Sequence, residues 1–207
     1  RIVDSNASAT VSLTANNADL TLTGAVASTL NVDFNTLALQ LSGGSTQTVQ
    51  VTDSNALSIS NLSSNGNLTI STANGSDLTI TDTTPVSSGQ LTLNSGGNLV
   101  LSTAGLNVTG DLTISADDMR DSNASSNVSL GAANADITLR DAVGARSWAT
   151  SFNQLVLDIA GTGNFELTDT DGLTLTSVDT GGSASFTTTG ADLVLTTQLQ
   201  VAGDLAL

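Results

Sequence analysis

The ionisable side chains of this 207-residue chain are 19 acids, all aspartate except Glu166, and the arginines Arg1, Arg120, Arg140 and Arg146; histidine, cysteine, lysine and tyrosine are absent. Imidazole catalysis, thiol chemistry and the usual zinc sites are therefore out of reach. Carboxylate chemistry is what remains. Acids come together in the run Thr168-Asp169-Thr170-Asp171 and at the adjacent Asp117 and Asp118. In an extended segment, alternation sets Asp169 and Asp171 on one side. Glycoside hydrolysis needs two carboxylates about 5–9 Å apart in a cleft that grips a sugar, usually on aromatic rings. The chain has only Trp148 and four phenylalanines to offer. No enzymatic activity is expected.

Calcium suits these oxygens better, since it takes six to eight of them from Asp, Asn and backbone carbonyls. Asp169, Asp171, Asp117 and Asp118 are the candidate ligands, and Asp53-Ser54-Asn55 is a further oxygen-rich corner. Ordinary solvated turn acids are the alternative, because the glycine-rich nonapeptide of calcium β-rolls is absent. No other cofactor is expected. Arg140, Arg146 and Trp148 form the one basic–aromatic cluster. On a surface it would stack on a sugar ring or a partner protein. The alternative places Trp148 in a locally widened core.

Repeats must position these residues. DSNASATVSLTANNADLTLTGAV from Asp4 matches DSNASSNVSLGAANADITLRDAV from Asp121, an offset of 117. FNTLALQL at Phe34 answers FNQLVLDI at Phe152, which makes both phenylalanines core candidates. NLVLSTAGLNVTGDLTI from Asn98 answers DLVLTTQLQVAGDLAL from Asp192, where the offset has fallen to 94. The second copy, 121–207, thus lacks about one finer unit of the first, 4–120. That unit is visible in short x-L-x-L-x runs such as Leu20/Leu22, Leu39/Leu41, Leu68/Ile70 and Leu99/Leu101. Strict alternation marks half-buried strands. Recurrence about every twenty residues, two strands per unit, marks a solenoid.

The expected fold is an all-β parallel β-helix of about ten coils, a single continuous segment over 1–207 cut from a longer repetitive protein. Val11, Leu13, Leu20, Leu22, Leu39, Leu41, Leu68, Ile70, Leu99 and Leu101 should point inward. A narrow aliphatic lumen accounts for an aromatic content of only 2%. Glycine and asparagine at Gly43, Asn74, Ser95-Gly96-Gly97-Asn98 and Thr180-Gly181-Gly182 should turn the corners, with stacked Asn, Ser and Thr ladders along them. The only proline, Pro85, falls in the longest insert between strands.

Iterated GNLTI, SDLTI, GDLTI and GNLVL coils resemble the repeats of filamentous-haemagglutinin-type large exoproteins and related biofilm matrix adhesins. The resemblance implies a right-handed β-helix that serves as the shaft of a secreted adhesin at the bacterial cell surface. Further copies of the repeat in the parent chain would be its neighbours, and a carbohydrate or cell-surface ligand a possible partner. Composition is in keeping with this. Hydrophobic residues make up 39% and charged residues only 11%, with a net charge of −15. Four scattered arginines cannot bind nucleic acid or an anionic membrane by charge. No apolar run nears the ~18 residues of a spanning helix. Absence of cysteine suits export through an outer-membrane pore. The function expected is therefore a rigid extracellular rod. The alternative is a carbohydrate- or partner-binding module built on Arg140, Arg146 and Trp148, with or without calcium.

Overall fold

A computed structural model of the chain describes residues 10–23, 27–42, 47–82, 86–87, 89–102, 105–122, 127–142 and 144–207. Gly43 and Pro85 lie outside them. Copy one opens with two long strands, β1 (Thr10–Leu22) and β2 (Ala27–Leu41), followed by β3 (Thr48–Asp53), β4 (Leu57–Ser64) and β5 (Asn67–Thr72). Its later coils are built from shorter pieces: β6 (Leu78–Ile80), β7 (Val86–Ser87), β8 (Leu91–Asn94), β9 (Leu99–Leu101), β10 (Leu106–Val108), β11 (Leu112–Ala116) and β12 (Met119–Asp121). Copy two repeats the long opening in β13 (Asn127–Leu139) and β14 (Arg146–Ile159). It continues through β15 (Phe165–Asp169), β16 (Leu173–Thr180), β17 (Ala184–Thr188), β18 (Leu193–Leu195), β19 (Leu199–Val201) and β20 (Leu205–Ala206).

All these strands are parallel and join in one continuous β-solenoid. Equivalent residues stack: Val49 pairs with Leu68, Leu68 with Leu91, and Leu91 with Leu112. The stack makes about nine turns rather than ten. At ~4.8 Å per turn it extends for roughly 43 Å. The two-strand coil read from the sequence is one of several forms. In β1, β2, β13 and β14 two apolar pairs run together in a single strand of 13 to 15 residues, whereas the middle coils are divided among three short strands.

The lumen is the core. Leu22, Leu39, Leu41, Leu68, Ile70, Leu99 and Leu101 are all at most 2% exposed. Val11, Leu13 and Leu20 also pack against it but remain partly exposed; among the described strands β1 pairs with β2. Phe34 and Phe152 are buried as expected. Copy two admits larger rings than copy one. Trp148 meets Phe165 edge-on at 4.7 Å between centroids, and Phe165 lies 5.7 Å from Phe186.

Corners are tight. Gly75 has φ of 76°, and a Cβ on Gly96 would stand 1.8 Å from the Ala73 carbonyl oxygen of the neighbouring coil. Glycine adopts the first without steric cost, and only glycine fits the second. Polar ladders run between coils: Asn35 donates to Asn16, Asn55 to Asp33 at 2.9 Å, and Asn134 to Asp111 at 2.7 Å.

The two copies are not in phase around the stack. The first half of β1 stands in a column that runs through β2, β3, β5, β8 and β11. The matching half of β13 stands instead on β10, through Leu106 and Leu130, and its second half stands on β11. The super-repeat is thus not a whole number of turns, and copy two begins one face further round.

Candidate functional site

The alternation that buries Val49 and Val51 in β3 carries on to Asp53, which is 0% exposed. A buried carboxylate needs strong partners. β2 supplies one. Its ladder to β3 ends at Val32–Asp53, and its ladder to β4 begins at Thr36–Ser58. Between them the Phe34 N–H faces a corner of the next coil and has no ladder acceptor. It donates to Asp53 Oδ2 at 2.9 Å, while Asn55 N–H donates to Oδ1 at 2.8 Å. Burial, the dominant influence, raises the Asp53 pKa above 3.8, with the two N–H groups opposing and Asp33 adding to the rise.

Asp169 does the same in copy two. The β14–β15 ladder ends at Thr150–Asp169 and the β14–β16 ladder begins at Gln154–Thr174. Asp169 Oδ2 accepts from Phe152 N–H at 2.9 Å and the Thr150 hydroxyl at 2.8 Å, and Oδ1 from Asp171 N–H at 3.0 Å. A third instance is Asp82. Where β4 passes from β6 to β7, Leu62 N–H donates to Asp82 Oδ2 at 2.7 Å. These inward acids cap the backbone at points where one long strand faces two shorter ones.

The candidate calcium ligands are therefore not one cluster. Asp169 points inward and Asp171 outward, which corrects the expectation that they share a side; the corner begins immediately after Asp169 and breaks the alternation. Asp171 accepts from the Ser151 hydroxyl. Asp117 and Asp118 are each held by an arginine. Arg140 Nε lies 2.9 Å from Asp117 Oδ1, and both Arg146 Nε and Nη2 reach Asp118 Oδ1, at 2.9 and 2.7 Å. Among the described residues no three acidic side chains converge.

Arg140, Arg146 and Trp148 do not form a surface patch, and the expected sugar- or partner-binding cluster is corrected accordingly. Residues 146 and 148 share the inward parity of β14, so Arg146 is 3% and Trp148 1% exposed. Trp148 pairs with Leu167 and takes the widened-core position; its indole N–H has no hydrogen-bond partner among the described residues. Arg140 alone is substantially exposed, and it clamps successive coils: Nη1 donates to Ser115 Oγ at 2.8 Å and Nη2 to the Ser95 carbonyl at 2.7 Å. A lateral groove of about 610 Å³ beside β10, β13 and β14 is lined by small uncharged side chains, among them Asn107, Thr109, Ser129, Gly131 and Asn153. It brings together no acid–base pair.

No protein-family model matches the chain, and neither does any curated protein or solved structure. The fold class, a parallel β-solenoid, stands on the strand register.

Proposed function

We propose that the chain is a shaft segment: a stiff extracellular rod in a secreted bacterial adhesin or biofilm matrix protein, with further copies of its repeat as neighbours. A β-solenoid is compatible with a structural rod. The observation that carries the proposal is how the charged groups are used. Asp53, Asp82 and Asp169 close gaps in the ladder, and Arg140 and Arg146 tie coils together. In this reading the residues best suited to chemistry or binding are engaged in holding the stack, and the chain contributes length and rigidity. The binding-module alternative loses its support with the burial of Trp148 and Arg146.

The test is replacement within the parent protein. An unrelated β-solenoid of equal length should restore adhesion or matrix formation, and a flexible Gly/Ser linker of equal residue number should not. Restoration by the flexible linker, or failure of every solenoid but this one, would refute the shaft reading.

A further inference from the structure

Asparagine is followed by glycine twice in the chain, at Asn65-Gly66 and Asn74-Gly75. In such a pair the glycine nitrogen can attack the side-chain amide before it, because glycine has no Cβ to obstruct the approach and its backbone is free to swing. Sequence alone does not separate the two pairs. Their places in the stack do.

Gly66 is buried against the coil of β3, and a Cβ in its place would stand 2.6 Å from the Gln47 carbonyl oxygen and 2.8 Å from Gln47 Cβ. The amides around it are all engaged. Asn65 N–H donates to the Leu41 carbonyl at 3.3 Å, Gly66 N–H to Ser64 Oγ at 3.3 Å, and Asn67 N–H to the Gln47 carbonyl at 2.8 Å. The Gly66 nitrogen cannot approach Asn65 Cγ without displacing the coil it packs on.

Asn74 and Gly75 are instead the central residues of an exposed turn, closed by Ser76 N–H donating to the Ala73 carbonyl at 2.9 Å. None of the described residues hydrogen-bonds the Asn74 side chain. A Cβ on Gly75 would meet no heavy atom within 4 Å. A single bond restrains the Gly75 nitrogen, its N–H donating to the Gly96 carbonyl at 2.7 Å. Freeing it requires that one bond to open and no packed neighbour to move.

We propose that Asn74 is a site of spontaneous covalent modification in the folded protein, and that Asn65 is protected from it. The Gly75 nitrogen bonds to Asn74 Cγ and gives its proton to water, while the Cγ–Nδ2 bond breaks and ammonia leaves. The product is a five-membered succinimide. Water then opens the ring at either carbonyl, leaving aspartate or isoaspartate at position 74. Both add a negative charge to the outer surface of a chain whose net charge is already −15. Isoaspartate also lengthens the main chain within the turn, at the cost of the Gly75–Gly96 hydrogen bond. The inward Ile70 and Leu78 on either side keep their places in the lumen. The inference stands on the two corners and does not require the shaft reading.

The 207-residue chain, held folded at mildly alkaline pH and then mapped by mass spectrometry after digestion, should gain acid at position 74 first. Synthetic peptides covering 62–69 and 71–78 supply the unstructured rates, which should be alike. Position 65 in the folded chain should lag behind its peptide by at least about tenfold, because it reacts only through local opening of the coil. Hydroxylamine, which cleaves the succinimide, should cut the folded chain after residue 74 and spare residue 65. Asn74→Gln should abolish both signals, and Asn65→Gln should leave them unchanged. Equal reaction at the two positions in the folded chain, or protection of position 74 as strong as that of position 65, would overturn the proposal.

Discussion

Replacing Asp169 with alanine should destabilise copy two well beyond the effect of a surface substitution. The carboxylate is 0% exposed and accepts three hydrogen bonds, from Phe152 N–H, the Thr150 hydroxyl and Asp171 N–H. Once it is gone, Thr150 can rotate, and the Asp171 N–H lies near enough to the surface to find water. Phe152 N–H has neither escape, because it sits in the gap between two ladders beneath a buried ring. An orphaned buried donor costs about 1–3 kcal/mol, and the small void adds to it. Relief of carboxylate desolvation works the other way. The expected loss is about 2–4 kcal/mol for Asp169→Ala. Asp169→Asn retains one acceptor for Phe152 and should lose about half as much. Asp171→Ala, outward and two residues away, should fall within about 0.5 kcal/mol of wild type. Urea melts followed by circular dichroism and by Trp148 emission suit the test, since Trp148 lies two residues before Thr150 in the same strand. Solenoids can unfold in parts, so the two probes should be compared rather than merged. If Asp169→Ala were as stable as wild type, or Asp171→Ala as damaged, the capping role would be wrong.

Leu41→Asp should cost at least about 3 kcal/mol by placing an unpaired carboxylate in the lumen, whereas Gln40→Asp on the outer side should cost little; equal urea midpoints would refute the register. Excision of residues 78–98 should leave a folded chain, because Leu99 pairs in register with Leu78 and can take its place, although Leu62 loses its Asp82 cap. Loss of the β-sheet signal in circular dichroism would count against that. Because burial raises the folded-state pKa of Asp53 above 3.8, its contribution to stability is full below 3.8 and is lost as pH rises through the folded pKa. Wild type should therefore gain on Asp53→Asn as pH falls from 7 towards 4, and a gain in the opposite direction would contradict the sign. Calcium at ~10 mM should add at most about 1.4 kcal/mol, the value for a millimolar site, and a collapse of the thermal midpoint on chelation would show a structural ion instead.

Period-2 alternation and recurrence about every twenty residues were enough to specify a parallel solenoid, because a coil cannot bury its own leucines and must share them with neighbours. The inward parity of Leu39, Leu68 and Leu99 followed directly. Parity also marked Asp53 and Asp169 as inward, since each ends an alternating apolar run (Val49, Val51; Phe165, Leu167), a signal obscured by reading the acids as corner residues. What they do there was settled only by tertiary structure. A backbone N–H is orphaned where the ladder of the next coil breaks, and that break belongs to a strand about twenty residues away. The same holds for Trp148, whose place depends on Phe165 and Phe186 filling the adjoining coils, and for Arg146, whose acceptor Asp118 is 28 residues distant in sequence. Local pattern determines which way a side chain points. Whether it meets water, an ion pair or an uncapped amide depends on the coil stacked against it.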